Sequence, residues 1–290
     1  MPGAILGPFF LEFLGRKWSY VIIAMWNLIN WTILSFSSAT WHILLARTMQ
    51  GLNEGMSYSL STCFIVEVAP LQYRAKLLNT INVGVALGML FVDIVGSFNS
   101  WRTSALILAC LSLIDAIILL FMKNTHVWYL QRGRIDDAKM AYFWYRPQTN
   151  ENTQILNQEI EIYTQEANIS LNELSKEWLK REFLFPLLIM IWFTATMMTS
   201  GGYAIALYSV DVMSNVIALD GYTITIIIDV VRVAASISTI FLLEVSPIRW
   251  MINAGTFVCS ISLLIRAASL YWEEVMLTCG PFVLGNYSRG

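Results

Sequence analysis

The stretch EFLGRKW, Glu12 to Trp18, closes the first apolar run of the chain with a carboxylate, a glycine and two cations. A second stretch, EVSPIRW, Glu244 to Trp250, has the same frame: Glu, two residues, a two-residue turn, a cation and Trp. Superposing Glu12 on Glu244 also superposes Trp18 on Trp250 and brings Trp41 to within one position of Trp272. Each device ends one apolar run and opens the next. The repeat predicts a chain built as two related halves.

Those apolar runs set the class. The chain of 290 residues is 57% hydrophobic and only 13% charged, against about 25% charged in a soluble domain. Seven stretches are long enough to cross a bilayer as helices: Trp18–Ser38, Ile43–Val66, Leu77–Phe98, Ser104–Met122, Phe183–Val212, Tyr222–Leu243 and Met251–Tyr271. Met1 to Leu14 would cover only about 21 Å as a helix, too short to cross. The expected class is an all-α, multi-pass membrane protein.

Charge placement orients it. Net charge is −2, but the cations gather in alternate connections: Arg16 and Lys17, Arg74 and Lys76, the segment Lys123 to Arg181, then Arg249. The positive-inside rule puts that basic set in the cytoplasm. Residues 123–182 form the one long polar region, expected as a cytoplasmic helical domain between an N-terminal bundle (1–122) and a C-terminal one (183–290). Within it GRIDDAKMAYFWYR and NTQILNQEIEIYTQEA read as helices. Ser170 three residues before Glu173 is a capping box opening a third.

Chemistry-bearing residues are sparse. The four cysteines have no paired spacing and there are only two histidines, so neither a disulfide frame, a metal site nor a cofactor is expected. No catalytic dyad is visible, which argues against an enzyme. Nucleic acid is not an expected partner; bilayer lipid is.

The remaining motifs concern helix contacts. Gly51 and Gly55, four apart on one helix face, allow close backbone approach. Arg47 can snorkel outward, whereas Glu54 lies deep and needs a partner or water. Glu67 and Arg74 bracket a helix end at Pro70 beside Arg16 and Lys17. With Glu12, Glu244 and Arg249 they form an expected cytoplasmic charge latch. Internal repeats with a central site between the halves are a common plan among secondary transporters.

These residues resemble the sugar-porter family of the major facilitator superfamily, and within it the facilitated trehalose and glucose transporters of insects. The acid-x-x-Gly-Arg-Arg/Lys loop is matched by Glu12, Gly15, Arg16 and Lys17. Arg-x-x-x-Gly-x-x-x-Gly is matched by Arg47, Gly51 and Gly55. Glu-x-x-Pro-x-x-x-Arg-Gly is matched by Glu67, Pro70 and Arg74, with Ala75 in place of glycine, and a Trp-Arg pair by Trp101 and Arg102. The resemblance implies a truncated major-facilitator bundle, from part of span 2 to about span 9 of twelve. The family's Pro-Glu-Ser-Pro element is altered to KNTHVWYL, with Asn124 at the acid.

The resemblance also implies substrate positions. Amides suit sugars because they both donate and accept hydrogen bonds. The family's glutamine of span 5 falls on Asn82, its paired glutamines of span 7 on Met197 and Met198, and its asparagine there on Tyr203. Gly201 and Tyr208 keep the family's residues, and an amide position of span 8 falls on Arg232. Arg232 is about 15 Å from either end of its helix, with Asp229 on the same face. An altered, even anionic, substrate site or a structural Arg–Asp pair would both account for it. The implied function is facilitative transport of a hexose or trehalose across the cell membrane by alternating access. The alternative is a non-transporting sensor or partner-binding relative.

Overall fold

A computed structural model describes residues 2–166, 180–199 and 221–287. Among them are ten α-helices and no strand: α1 (Pro2–Ser35), α2 (Thr40–Val68), α3 (Arg74–Phe98), α4 (Trp101–Leu120), α5 (His126–Leu130), α6 (Ile135–Tyr145), α7 (Asn150–Glu166), α8 (Arg181–Thr199), α9 (Gly221–Val245) and α10 (Ile248–Tyr287). By length and apolar composition α3, α4 and α9 suffice to cross a membrane. The limb of α1 after Gly15 is diluted by Asn27, Asn30 and three Trp, and α2 by His42, Arg47, Asn53 and Glu54.

Helix α1 is two helices joined at a break. Gly15 takes φ 79° and ψ 170°, a conformation an L-residue reaches only with strain. The short run before Gly15 is thus continuous in chain with the first predicted span but turned away from it. The limbs pack together through Leu11 and Ile23, which join Met56 and Leu60 of α2 in one buried cluster. A second cluster, Leu34, Ala46 and Ala105, ties α1 to α2 and α4 near their opposite ends.

Glycine does close the α1–α2 approach, but not at both predicted positions. A Cβ on Gly55 would stand 2.9 Å from the Ala4 backbone nitrogen, and Gly3 lies against the Leu52 backbone. Gly51 has open space where its Cβ would be; it is turned off the contact, so Gly3 replaces it in the close packing. Arg102 of the Trp-Arg pair donates to the Ser37 carbonyl (3.1 Å), while Ser35 Oγ donates to the Arg102 carbonyl (3.1 Å). These bonds fix the start of α4 to the α1–α2 connection.

Helix α3, before the polar segment, and α9, after it, pack along one another. The first two helices read in the polar segment correspond to α6 and α7, while α5 precedes them as an additional short helix. The third, from Ser170, falls on residues 167–179, outside the described residues, as does the later part of the span predicted from Phe183.

Candidate functional site

Two polar assemblies stand out: one at the Gly15 break of α1 and the C-terminal end of α2, the other along the α3–α9 contact. The first grows from the Gly15 break. The reversal turns Arg16 inward, where it is 6% exposed. Its Nε donates to Glu67 Oε2 at 2.9 Å and an Nη to Glu67 Oε1, a two-pronged pair. Thr125 Oγ1 donates to the same carboxylate at 2.5 Å, and Asn124 Oδ1 accepts from the Lys17 amide at 2.9 Å. Fork geometry with a further donor is what makes a buried ion pair hold.

Residues 123–146, around α5 and α6, close over this pair. Arg132 donates to the carbonyls of Glu12 and Phe13 (3.2 and 2.9 Å), satisfying the open C-terminal end of the first limb of α1. Its guanidinium also covers the Trp128 ring at 4.3 Å. Arg146 does the same for α2, donating to the carbonyls of Val68 and Glu67 (3.0 and 3.3 Å). Tyr145 donates to the Lys123 carbonyl at 2.7 Å and accepts its amide at 3.1 Å. Burial pushes the Tyr145 phenol above its ordinary value, with the Lys123 amide pulling weakly the other way. His126 and Glu159 meet at 3.0 Å, joining α5 to α7.

The latch therefore differs from the set expected. Glu67 is engaged by Arg16, not Arg74. Arg74 has a buried Nε with no hydrogen-bond partner among the described residues. Lys17 lies near the Trp18 ring at 5.8 Å. Glu12 contributes its carbonyl. Glu244 pairs with Lys76 across the halves, and Arg249 forms no ion pair among the described residues. Sequence reasoning missed Lys76, Asn124 and Thr125. The signal for Lys76 was its helical register with Asn79 and Asn82.

The second assembly follows that register. Above Lys76, Asn79 Nδ2 donates to the Ser236 carbonyl of α9 at 3.1 Å, and Asn82 donates to Asn79 Oδ1 at 3.3 Å. Further out, Arg232 donates to Asp229 Oδ1 at 2.7 Å and contacts Met89 Sδ at 2.9 Å. Of the substrate positions, Asn82 and Arg232 come to this one contact. Met197 and Met198 lie at the end of α8 with side chains outside the described residues, as are Gly201, Tyr203 and Tyr208 entirely.

A separate cavity of about 440 Å³ opens between α1 and α2, lined by Asn27, Trp31, Arg47, Gly51, Asn53 and Glu54 among others. Arg47 and Glu54 share it without forming an ion pair among the described residues. It is roomy and polar enough to hold water.

Comparison with known proteins gives a consistent setting. The family model "Sugar (and other) transporter" matches residues 1–284. Sugar transporter ERD6-like 6 of Arabidopsis thaliana is 25% identical over 279 residues, 94% of this chain and 56% of that protein. Facilitated trehalose transporter Tret1 of Polypedilum vanderplanki is 23% identical over 270 residues, 89% of this chain and 54% of its own. Tret1 of Drosophila virilis is 24% identical over 288 residues, 99% of this chain and 30% of that one. The chain spans about half, or less, of the length of these relatives. Among solved structures, the partially occluded, inward-open xylose transporter XylE of E. coli superposes with a TM-score of 0.66 at 17% identity, covering 83% of this chain and 59% of that one.

Proposed function

This chain belongs to the sugar (and other) transporter family, and on that premise we propose that it carries a hexose or trehalose across the cell membrane by alternating access. The family and the XylE-like fold make it a multi-pass helical membrane protein. The observation that supports movement is the contrast between its two assemblies. Arg16, Glu67 and Thr125 lock helices of one half to each other. The α3–α9 contact between halves is held by Lys76–Glu244, Asn79–Ser236 and Arg232–Met89, bonds that water can replace at about 1 kcal/mol each. A rigid half and an exchangeable seam are what rocking halves need.

In this reading Asn82, on the seam, offers the substrate an amide, and Met197 and Met198 offer apolar surface to a sugar's carbon face. The basic cytoplasmic domain, residues 123–182, stays on the inner side. The loss of amides at the two methionines favours one rival: a relative that retains the fold and binds a partner without passing sugar. Uptake of labelled glucose and trehalose into proteoliposomes decides between them. Transport predicts saturable entry faster than in protein-free vesicles. Entry at the protein-free rate refutes transport and leaves the partner-binding reading.

A further inference from the structure

We propose that the cavity between α1 and α2 is a binding site for a small neutral polyhydroxyl ligand, separate from the α3–α9 seam. Its α2 wall is a polar stripe at helical spacing, Arg47, Gln50 and Glu54, with Asn53 beside them. Asn27 and Trp31, one turn apart on α1, complete the lining. Its volume of about 440 Å³ falls within the range of small-molecule sites, about 300–1,000 Å³. Gly51 makes the room: a Cβ there would meet nothing within 4 Å, so the helix is bare between Arg47 and Glu54.

Asn53 is the sign of a ligand. It is 5% exposed, and its Oδ1 is buried with no hydrogen-bond donor among the described residues. A buried amide oxygen without a donor is costly, and a hydroxyl in the cavity supplies one. The rest of the stripe is uncommitted too: Arg47, Gln50 and Glu54 form no side-chain hydrogen bond or ion pair among the described residues. Across from them Asn27 Nδ2 donates to Ser112 Oγ at 3.1 Å, which leaves its Oδ1 to accept. Trp31 packs against Leu34, Ala46 and Ala105, which fixes its ring.

The lining selects the ligand's chemistry. Amides, a guanidinium and a carboxylate offer donors and acceptors together, and hydroxyls answer both. Arg47 and Glu54 cancel in charge, so the cavity favours a ligand without net charge. The two stand about 10 Å apart along α2, so a ligand between them must offer hydrogen bonds on opposite sides. A sugar ring does so, whereas an amino acid carries both its charges on one carbon. The Trp31 ring suits the C–H face of a sugar, and its N–H is a further donor. The inference rests on this cavity and not on passage of sugar along the seam.

The test is protection of a cysteine placed in the cavity. Gly51→Cys, in the full chain with its four native cysteines replaced by serine, is labelled in detergent with a small water-soluble methanethiosulfonate; Ser57→Cys, on the same wall, is a second probe. D-glucose or trehalose slows labelling several-fold and leaves a Lys139→Cys chain, labelled on α6, unchanged. Asn53→Leu abolishes the protection. Because it keeps the volume and removes the unsatisfied amide, its unfolding midpoint does not fall. Labelling that neither sugar slows overturns the proposal, as does slowing that persists in Asn53→Leu or is equal at Lys139→Cys. Slowing by L-alanine and not by sugar also overturns it, since a zwitterion would then be the ligand. Protection in a chain that fails the uptake assay upholds the site and removes the transport reading alone.

Discussion

The two copies of the Glu-to-Trp frame make turns of opposite character. At the first, Gly15 reverses the chain with positive φ and turns Arg16 into a buried pair with Glu67, the side chains 7% and 14% exposed. At the second, the chain breaks between Val245 and Ile248, and Glu244 reaches Lys76 with side chains 53% and 31% exposed. Arg249 and Trp250 lie exposed. The frame places a turn at both positions; what covers the turn decides its energy. Residues 123–146 cover the first with Asn124, Thr125, Trp128 and Arg132. Among the described residues, α5, α6 and α7 make no comparable packing on the second.

The sharpest way to break that comparison is Glu67→Ala. It leaves Arg16 buried beside Thr125 with no countercharge, a loss expected at about 3–5 kcal/mol. Thermal unfolding in detergent, followed by tryptophan fluorescence, should show a large drop in midpoint. The exchange Arg16→Glu with Glu67→Arg should recover part of it. Exchanging Glu67 with Arg74 should recover nothing, because those two side chains do not meet.

Gly15→Ala comes next. Its Cβ would lie 2.8 Å from Asn124 Oδ1 and 2.9 Å from Trp128 Cε2, on a backbone at φ 79°. Strain of about 1–3 kcal/mol is expected, read by the same unfolding curve, with Asn124→Ala relieving the clash but not the dihedral. A neutral Gly15→Ala would mean that the two turns are alike after all.

How far the sequence disclosed this follows from which interactions are local. The apolar helices α3, α4 and α9 and the polar-segment helices α6 and α7 were legible because apolar period is a local property. Gly15 was legible as a turn for the same reason. The partner of Glu67 was not: Arg16 and Arg74 are both cations near it, and only the fold of α1 on α2 chooses between them. Gly51 failed because spacing puts it on a face with Gly55 but does not say where the neighbouring helix ends. Met89 was invisible as a site residue and Lys76 showed only through its register, because their partners lie 143 and 168 residues away in α9.

A smaller effect probes the cover over the first turn. Tyr145→Phe removes the bond to the Lys123 carbonyl, worth about 1 kcal/mol at neutral pH. The folded phenol titrates above its ordinary value because it is buried. Its stabilisation is therefore complete below about pH 10, the unfolded value, and is lost as pH climbs through the folded one. Wild type and Tyr145→Phe should differ in unfolding midpoint at neutral pH and converge in strong alkali. Divergence in alkali would show that the phenol is not what seals α6 against residue 123.

The smallest effect belongs to the second turn. Lys76→Gln cuts the only ion pair between the halves among the described residues, but an exposed pair contributes under about 1 kcal/mol and fades with salt. Its unfolding midpoint should stay near wild type and lose its salt dependence. The consequence should be kinetic. If the halves part at this end during each cycle, removing Lys76 lowers one step of the opening without softening either half. Disulfide trapping between cysteines placed at Asn79 and Ser236 should then slow in the Lys76→Gln background while the fold is unchanged. An unfolding loss as large as that of Glu67→Ala would show that exposure does not separate the two turns, and the distinction between rigid half and yielding seam would fall with it.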